Sequence, residues 1–218
     1  MKTHSFTLHI SDSIGDVSAN LMQPDDMTAM LTFAHGAGAG MHHKFMTELA
    51  SALAIEGIGT LRFNFPYMEQ KKKRPDVPAV AHATIAAALQ YVQQLFPNIP
   101  VFASGKSFGG RMSSQWLALQ PNGFVKGIIF FGFPLHPAGK PGTERAEHLK
   151  QVSVPMLFLQ GTRDELATWS LITEVYEGLP QATLVSLEQA NHAFYIPKKN
   201  AIPVLAAETA GWIKKISS

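Results

Sequence analysis

An α/β fold with a mostly parallel sheet and helices on both faces is predicted by three observations. From about residue 29 onward, short apolar runs alternate with stretches of helical periodicity. Several of the apolar runs stop abruptly at glycine or proline, as buried strands do. Hydrophobic residues make up 46% of the 218 positions and charged residues 16%, enough apolar material for a sizeable core and too little charge for a disordered or coiled-coil chain. At roughly 100–200 residues per domain, residues 1–218 read as one domain.

The elements follow in order. Phe6-Thr7-Leu8-His9-Ile10 alternates apolar with polar and suits an antiparallel edge strand; the rest of residues 1–28 gives no clear pattern. Ala29 to Ala34 is a buried strand that ends at a glycine-rich turn. Phe45, Leu49 and Leu53 give residues 43–55 a helical face. Thr60 to Phe65 is the next strand, stopped by Pro66, and residues 67–78 are a polar, basic loop. Ala81, Ile85, Ala88, Val92 and Leu95 mark a helix over 79–96. Val101 to Ser104 is a strand, and Phe108, Met112, Trp116 and Leu119 lie on one side of a helix over 108–119. The strand at Gly127 to Phe131 leads into a Pro/Gly-rich loop, with one short helix near 143–150. Strands at Pro155 to Leu159 and Ala182 to Leu187 flank a helix near 166–178. Ile202, Leu205, Thr209, Trp212 and Ile216 mark a C-terminal helix, with Pro203 tolerated in its first turn.

The chemistry centres on Gly105-Lys106-Ser107-Phe108-Gly109, a G-x-S-x-G pentapeptide. The pattern alone is weak and also fits a strand–helix turn with a serine cap. Its setting, after a buried strand and at the opening of an amphipathic helix, is what a nucleophile elbow requires. Such an elbow also demands an acid and then a histidine, in that order. After Ser107 there is one aspartate, Asp164, and after Asp164 one histidine, His192. Each follows a predicted strand, so all three belong at the C-terminal edge of the sheet, where open α/β sheets build their sites. Asp164 also suits a helix cap, Glu165 is a second possible acid, and His192 also suits a loop histidine. The turn His35-Gly36-Ala37-Gly38-Ala39-Gly40 can offer the N–H of Ala37 to an oxyanion, beside the N–H of Phe108. It fits neither nucleotide-loop pattern, G-x-x-x-x-G-K-[ST] or G-x-G-x-x-G with a later acid.

These motifs resemble those of the α/β-hydrolases, and the similarity runs from about residue 29 to the end. The chain is similar to the small, cap-less branch related to dienelactone hydrolases. Gly105 to Arg111, together with Arg62-Phe63-Asn64-Phe65-Pro66, resembles a subgroup holding a testis-expressed protein, a hydrolase-like subunit of a chromatin acetyltransferase complex and bacterial relatives. The resemblance implies an α/β-hydrolase fold without a substantial lid domain. Dienelactone hydrolase itself uses a cysteine; this chain has none and places Ser107 there, so the lactone substrate does not transfer.

The expected activity is hydrolysis of a carboxylester or thioester by Ser107, Asp164 and His192 through an acyl-enzyme, with a small-molecule substrate and no cofactor. A non-catalytic interaction module, a small peptidase and an acyltransferase stay open as alternatives. His35, Gly36, Lys106, Arg111, His42 and Pro134 are candidate pocket residues. His42 and His43 could pair with His35 around a metal, but no carboxylate is placed to complete the set, and no metal is expected. The net charge of +2 gives no case for nucleic acid or a membrane surface. The basic run Lys71 to Arg74 reads as a solvated loop that could steer an acidic substrate. Without cysteine, a signal-type N-terminus or any window near the ~20 apolar residues of a membrane span, a cytoplasmic protein is expected.

Overall fold

A computed structural model describes residues 1–120 and 123–217. Its core is one eight-stranded sheet. Strand β1 (Lys2–Ser11) and β2 (Gly15–Gln23) form an antiparallel hairpin at one edge, and β2 also pairs antiparallel with β4 (Ile58–Phe63). The other pairs are parallel: β4 with β3 (Ala29–Ala34), β3 with β5 (Val101–Lys106), then β6 (Val125–Phe131), β7 (Met156–Gly161) and β8 (Ala182–Leu187). The order across the sheet is β1-β2-β4-β3-β5-β6-β7-β8.

Every residue of β3, β4 and β7 is buried, which is why these strands are largely apolar on both faces, with Thr32, Thr60, Arg62 and Gln160 as their buried polar members. Helices cover both faces. On one side α1 (Lys44–Ile55) and α6 (Ile202–Ser217) bury Leu49, Leu53, Leu205 and Trp212 against Phe33, Phe102 and Leu157. On the other, α3 (Pro78–Leu95), α4 (Phe108–Leu119), α5 (Trp169–Glu177) and a 3-10 helix (Glu144–Gln151) bury Ile85, Val92, Met112, Trp116, Leu149 and Ile172 against Phe63, Phe130 and Phe158.

The element order matches the expected α/β plan, with three differences. The first expected strand, Phe6 to Ile10, is the middle of a longer strand, and its partner β2 was not anticipated. Along β2 the inward alternation is Val17, Ala19, Leu21, but Asn20 and Met22 are buried as well, so no clean period of two is visible. The expected loop over 67–78 opens with a single helical turn, α2 (Pro66–Glu69), started by Pro66 at its first position. Leu119, expected on the inner side of α4, closes that helix 71% exposed.

Residues 132–155 between β6 and β7 hold loop and the 3-10 helix, so no lid domain covers the sheet. The chain runs from β3 outward to β4, then returns to place β5 on the other side of β3. That reversal leaves a crevice beyond the C-terminal ends of β3 and β5, at Ala34 and Gly105, which are register partners. Among the described residues no helix is long and apolar enough to cross a membrane.

Candidate functional site

Ser107 stands at the tip of β5 with φ 51° and ψ −114°, a conformation non-glycine residues rarely adopt. The sharp turn holds because its neighbours two residues away are glycines. A Cβ on Gly105 would fall 2.3 Å from the nitrogen of Gly110, and one on Gly109 would fall 2.4 Å from the carbonyl oxygen of Ala34. Any side chain at either place would push α4 off β5 or β3. Strain at Ser107 is therefore held by close packing on both sides, the usual condition for such a residue to persist.

Asp164 follows β7 and is 5% exposed. Its Oδ1 accepts from the N–H of Leu166 at 2.8 Å, and its Oδ2 accepts from Gln160 Nε2 at 2.6 Å. Gln160 is fully buried, and its own Oε1 accepts from the N–H of Phe133 at 2.8 Å. The carboxylate is thus fixed by two donors before it meets His192. His192 Nδ1 lies 2.8 Å from Oδ2 and 3.0 Å from Oδ1. A carboxylate only accepts, so Nδ1 carries the proton, and Nε2 is left to accept from Ser107 Oγ at 2.8 Å. The three side chains form one continuous chain of hydrogen bonds. Asp164 does not cap α5, which is headed by Thr168, and Glu165 does not reach the imidazole. Instead Glu165 Oε2 accepts from the backbone N–H of His192 at 3.2 Å.

The loops carrying Asp164 and His192 are locked together. Arg163 N–H donates to the carbonyl of Ala190 at 2.9 Å, and a Cβ on Gly161 would fall 2.3 Å from that same oxygen.

The glycine-rich turn after β3 lies against Ser107: a Cβ on Gly36 would sit 3.7 Å from Ser107 Cβ. His35 anchors the turn from beneath. It is fully buried, its Nδ1–H donates to Gly36 O at 2.7 Å, and its Nε2 accepts from Phe65 N–H at 3.0 Å. Desolvation lowers its pKa to about 4, so the ring is neutral. Tyr67 OH donates to Ala37 O at 2.9 Å. Farther along, Asn64 Oδ1 accepts from Met41 N–H at 2.8 Å, Arg62 donates to Met41 O at 3.1 Å, and Arg62 also donates to Asn20. The Arg62 to Pro66 stretch therefore serves to pin the turn.

A cavity of ≈ 450 Å³ opens in front of Ser107, a size suited to a small organic ligand. Gly36, Ala37, Lys106, His192, Phe45 and Leu166 are among its walls, and Ala37 and Ser107 face the same space. Of the expected pocket residues, Gly36 and Lys106 line it. His35 does not, because both ring nitrogens are spent on backbone; the same engagement removes it from any metal set. Pro134 is buried and His42 exposed, and neither lines the cavity. Arg111 faces the 3-10 helix, where it sits near Arg145 and His148. The residues the sequence did not suggest are Gln160, which orients Asp164, and the apolar walls Phe45, Met46 and Leu166. A polar side chain at the end of an otherwise apolar strand was the available signal for Gln160. Among the described residues no group of three or more His, Cys, Asp or Glu side chains converges as a metal set would. Lys71 to Arg74 are exposed and line no part of the cavity.

A family model described as an alpha/beta hydrolase domain matches residues 27–209. Among solved structures, the chain is similar to a dienelactone hydrolase from Anabaena variabilis, with a TM-score of 0.76 and 19% identity over 99% of both chains. It is also similar to the esterase domain of a Rhodothermus marinus protein, with a TM-score of 0.75 and 17% identity over 99% of both chains. An α/β serine hydrolase without lid from Xanthomonas campestris matches with a TM-score of 0.72 and 22% identity, over 99% of this chain and 94% of that one. At these identities the likeness to solved structures is one of fold.

Proposed function

The chain belongs to the alpha/beta hydrolase domain family, and from that premise we propose that it is a serine hydrolase cleaving carboxylester or thioester bonds of small molecules. One observation carries the reading: the unbroken Ser107–His192–Asp164 hydrogen-bond chain at the mouth of the cavity. A structural scaffold has no need of a strained serine facing a correctly tautomerised histidine.

In the proposed reaction Ser107 Oγ attacks the acyl carbon while His192 Nε2 takes its proton. Asp164 holds Nδ1–H in place and stabilises the imidazolium. The N–H groups of Ala37 and Phe108 receive the oxyanion; Phe108 opens α4, so its N–H has no partner within the helix. His192 then protonates the leaving group, and water, activated by the same ring, releases the acid from Ser107. No step calls for a metal or an organic cofactor. The open cavity and the absence of a lid domain favour short or soluble acyl groups over long lipid tails.

The test is labelling of the purified protein with a fluorophosphonate, read by intact mass and peptide mapping, beside hydrolysis of p-nitrophenyl acetate. The expected result is one adduct on Ser107, lost in Ser107→Ala and His192→Ala, with turnover reduced by about 10⁴–10⁶ in either variant. A folded wild-type protein that takes no label and hydrolyses no ester or thioester would overturn the proposal in favour of an interaction module.

A further inference from the structure

Lys106, the x of the elbow before Ser107, is not spent on solvent. Its Nζ donates to the backbone carbonyl of His192 at 2.6 Å. It also lies 5.1 Å from the ring centre of Phe194 and 5.8 Å from that of Phe45, and these two rings stack at 5.6 Å. Gly132, at φ +75°, makes room: a Cβ there would fall 3.1 Å from Nζ and 3.6 Å from the His192 ring. Among the described residues no carboxylate lies within ion-pair distance of this ammonium. A half-buried lysine without a carboxylate partner is costly, so its presence beside the site calls for a return.

The segment it grips needs gripping. The loop after β8 holds Gln189 at φ 63° and Phe194 at φ 60°, both strained for non-glycine residues. On one side of His192, Glu165 accepts from the backbone N–H. On the other, Lys106 donates to the backbone C=O. We propose that Lys106 is a positioning residue, clamping the backbone of His192 so that its imidazole stays in register with the neighbouring Ser107. This rests on the serine-hydrolase reading of the site.

Burial lowers the Lys106 pKa to about 8, opposed by the nearby Asp164 and Glu165. The groups facing it are those two carboxylates from the loop after β7 and the His192 residue it holds. From α1 it meets Phe45, from the end of β6 Gly132, and His43 shares the cavity wall. The ammonium form makes the stronger, charge-assisted bond. Loss of the proton therefore loosens the clamp on the alkaline side.

The experiment compares wild type, Lys106→Met and Lys106→Gln in the full chain, with p-nitrophenyl acetate turnover, the rate of fluorophosphonate labelling at Ser107, and melting temperature. For Lys106→Met, kcat and the labelling rate should fall about 10- to 100-fold with KM changed less than about threefold, as expected for loss of one charge-assisted bond. Lys106→Gln, which keeps a neutral donor, should lie between. The melting temperature should hold or rise, because a half-buried charge has been removed. Wild-type kcat should decline above about pH 8, and the Lys106→Met profile should lack that decline. Unchanged kcat in Lys106→Met would overturn the inference. So would a large KM change with kcat intact, which would make Lys106 a substrate contact, or a fall in kcat matched by a lower melting temperature. If Lys106→Met does not fold, a wild-type profile flat from pH 7 to 10 overturns it alone. Failure of wild type to label at Ser107 is a different result: it removes the serine-hydrolase reading itself.

Discussion

Asp164 is fixed by Gln160 and Leu166 N–H before it contacts His192, so in the proposed mechanism its part is tautomer control by a preset carboxylate. Asp164→Asn keeps the shape but offers Nδ1 a donor as readily as an acceptor. The expected result is a kcat loss of about 10⁴ with the fold intact, checked by ester turnover and circular dichroism. Gln160→Leu should act more mildly. It removes the donor to Oδ2 and leaves Phe133 N–H buried without its acceptor, so activity and stability should both fall, the latter by about 1–3 kcal/mol. Chemical denaturation beside kinetics separates the two effects; unchanged stability would mean that water replaces the amide. Ser107 has its own residue-level signature. Removing its hydroxyl as Ser107→Gly also relieves the positive φ, whereas Ser107→Ala keeps it. The glycine variant should be more stable than the alanine variant by about 1 kcal/mol, or about 2–4 °C in melting temperature for a chain of this size. Equal melting temperatures would show that the elbow carries little strain.

At the scale of elements, the elbow holds because α4 approaches β5 at Gly105 and β3 at Gly109 more closely than any Cβ allows. Gly109→Ala would drive a methyl into Ala34 O, on the strand that carries the glycine-rich turn, and so disturbs both halves of the site. It should lower stability by more than about 2 kcal/mol and abolish labelling of Ser107; a folded, fully labelled variant would refute this account of the turn. The parallel strands and their helices were legible in the sequence because burial on both faces writes long apolar runs and helical burial writes a period near 3.6. The hairpin partner β2 was not, since Asn20 and Met22 are buried beside the inward Val17, Ala19 and Leu21 and erase the period of two. The meeting of Ser107, Asp164 and His192 was legible because order and strand ends suffice to place them. Gln160 and Phe45 were not, and Lys106 was legible as a pocket residue but not as a partner of the His192 backbone, because these parts depend on where loops from distant strands cross, which no local pattern encodes. His35 misled for the same reason: a histidine beside a glycine-rich turn looks like a pocket residue until the backbone groups that occupy both its nitrogens are seen.

Taken whole, the molecule holds His35 and His148 neutral within its packing, and this sets how it responds to acid. Burial lowers the pKa of His35 to about 4, as does burial together with nearby Arg111 and His82 for His148; burial also lowers that of His82. For His35 the bonding agrees, since protonating Nε2 would set it against the donating N–H of Phe65. In the unfolded chain His35 and His148 take a proton near the ordinary value of about 6.5, while in the folded chain they resist until about pH 4. The unfolded state therefore binds more protons throughout that interval. Stability is fully present above about pH 6.5 and is lost as pH falls toward about 4. His35, having no exposure, contributes a loss on the order of 3 kcal/mol across the window; His148 contributes less, because part of it meets solvent. Against a total of about 5–15 kcal/mol, this is enough to move an unfolding midpoint visibly. Urea unfolding at intervals from pH 7 to about 5, where most carboxylates are still largely ionised, should show a steadily falling midpoint. The decline should be shallower in His148→Gln than in wild type. A midpoint constant across that range would mean the rings are protonated inside the fold, and the neutral anchoring of the glycine-rich turn by His35 would have to be abandoned.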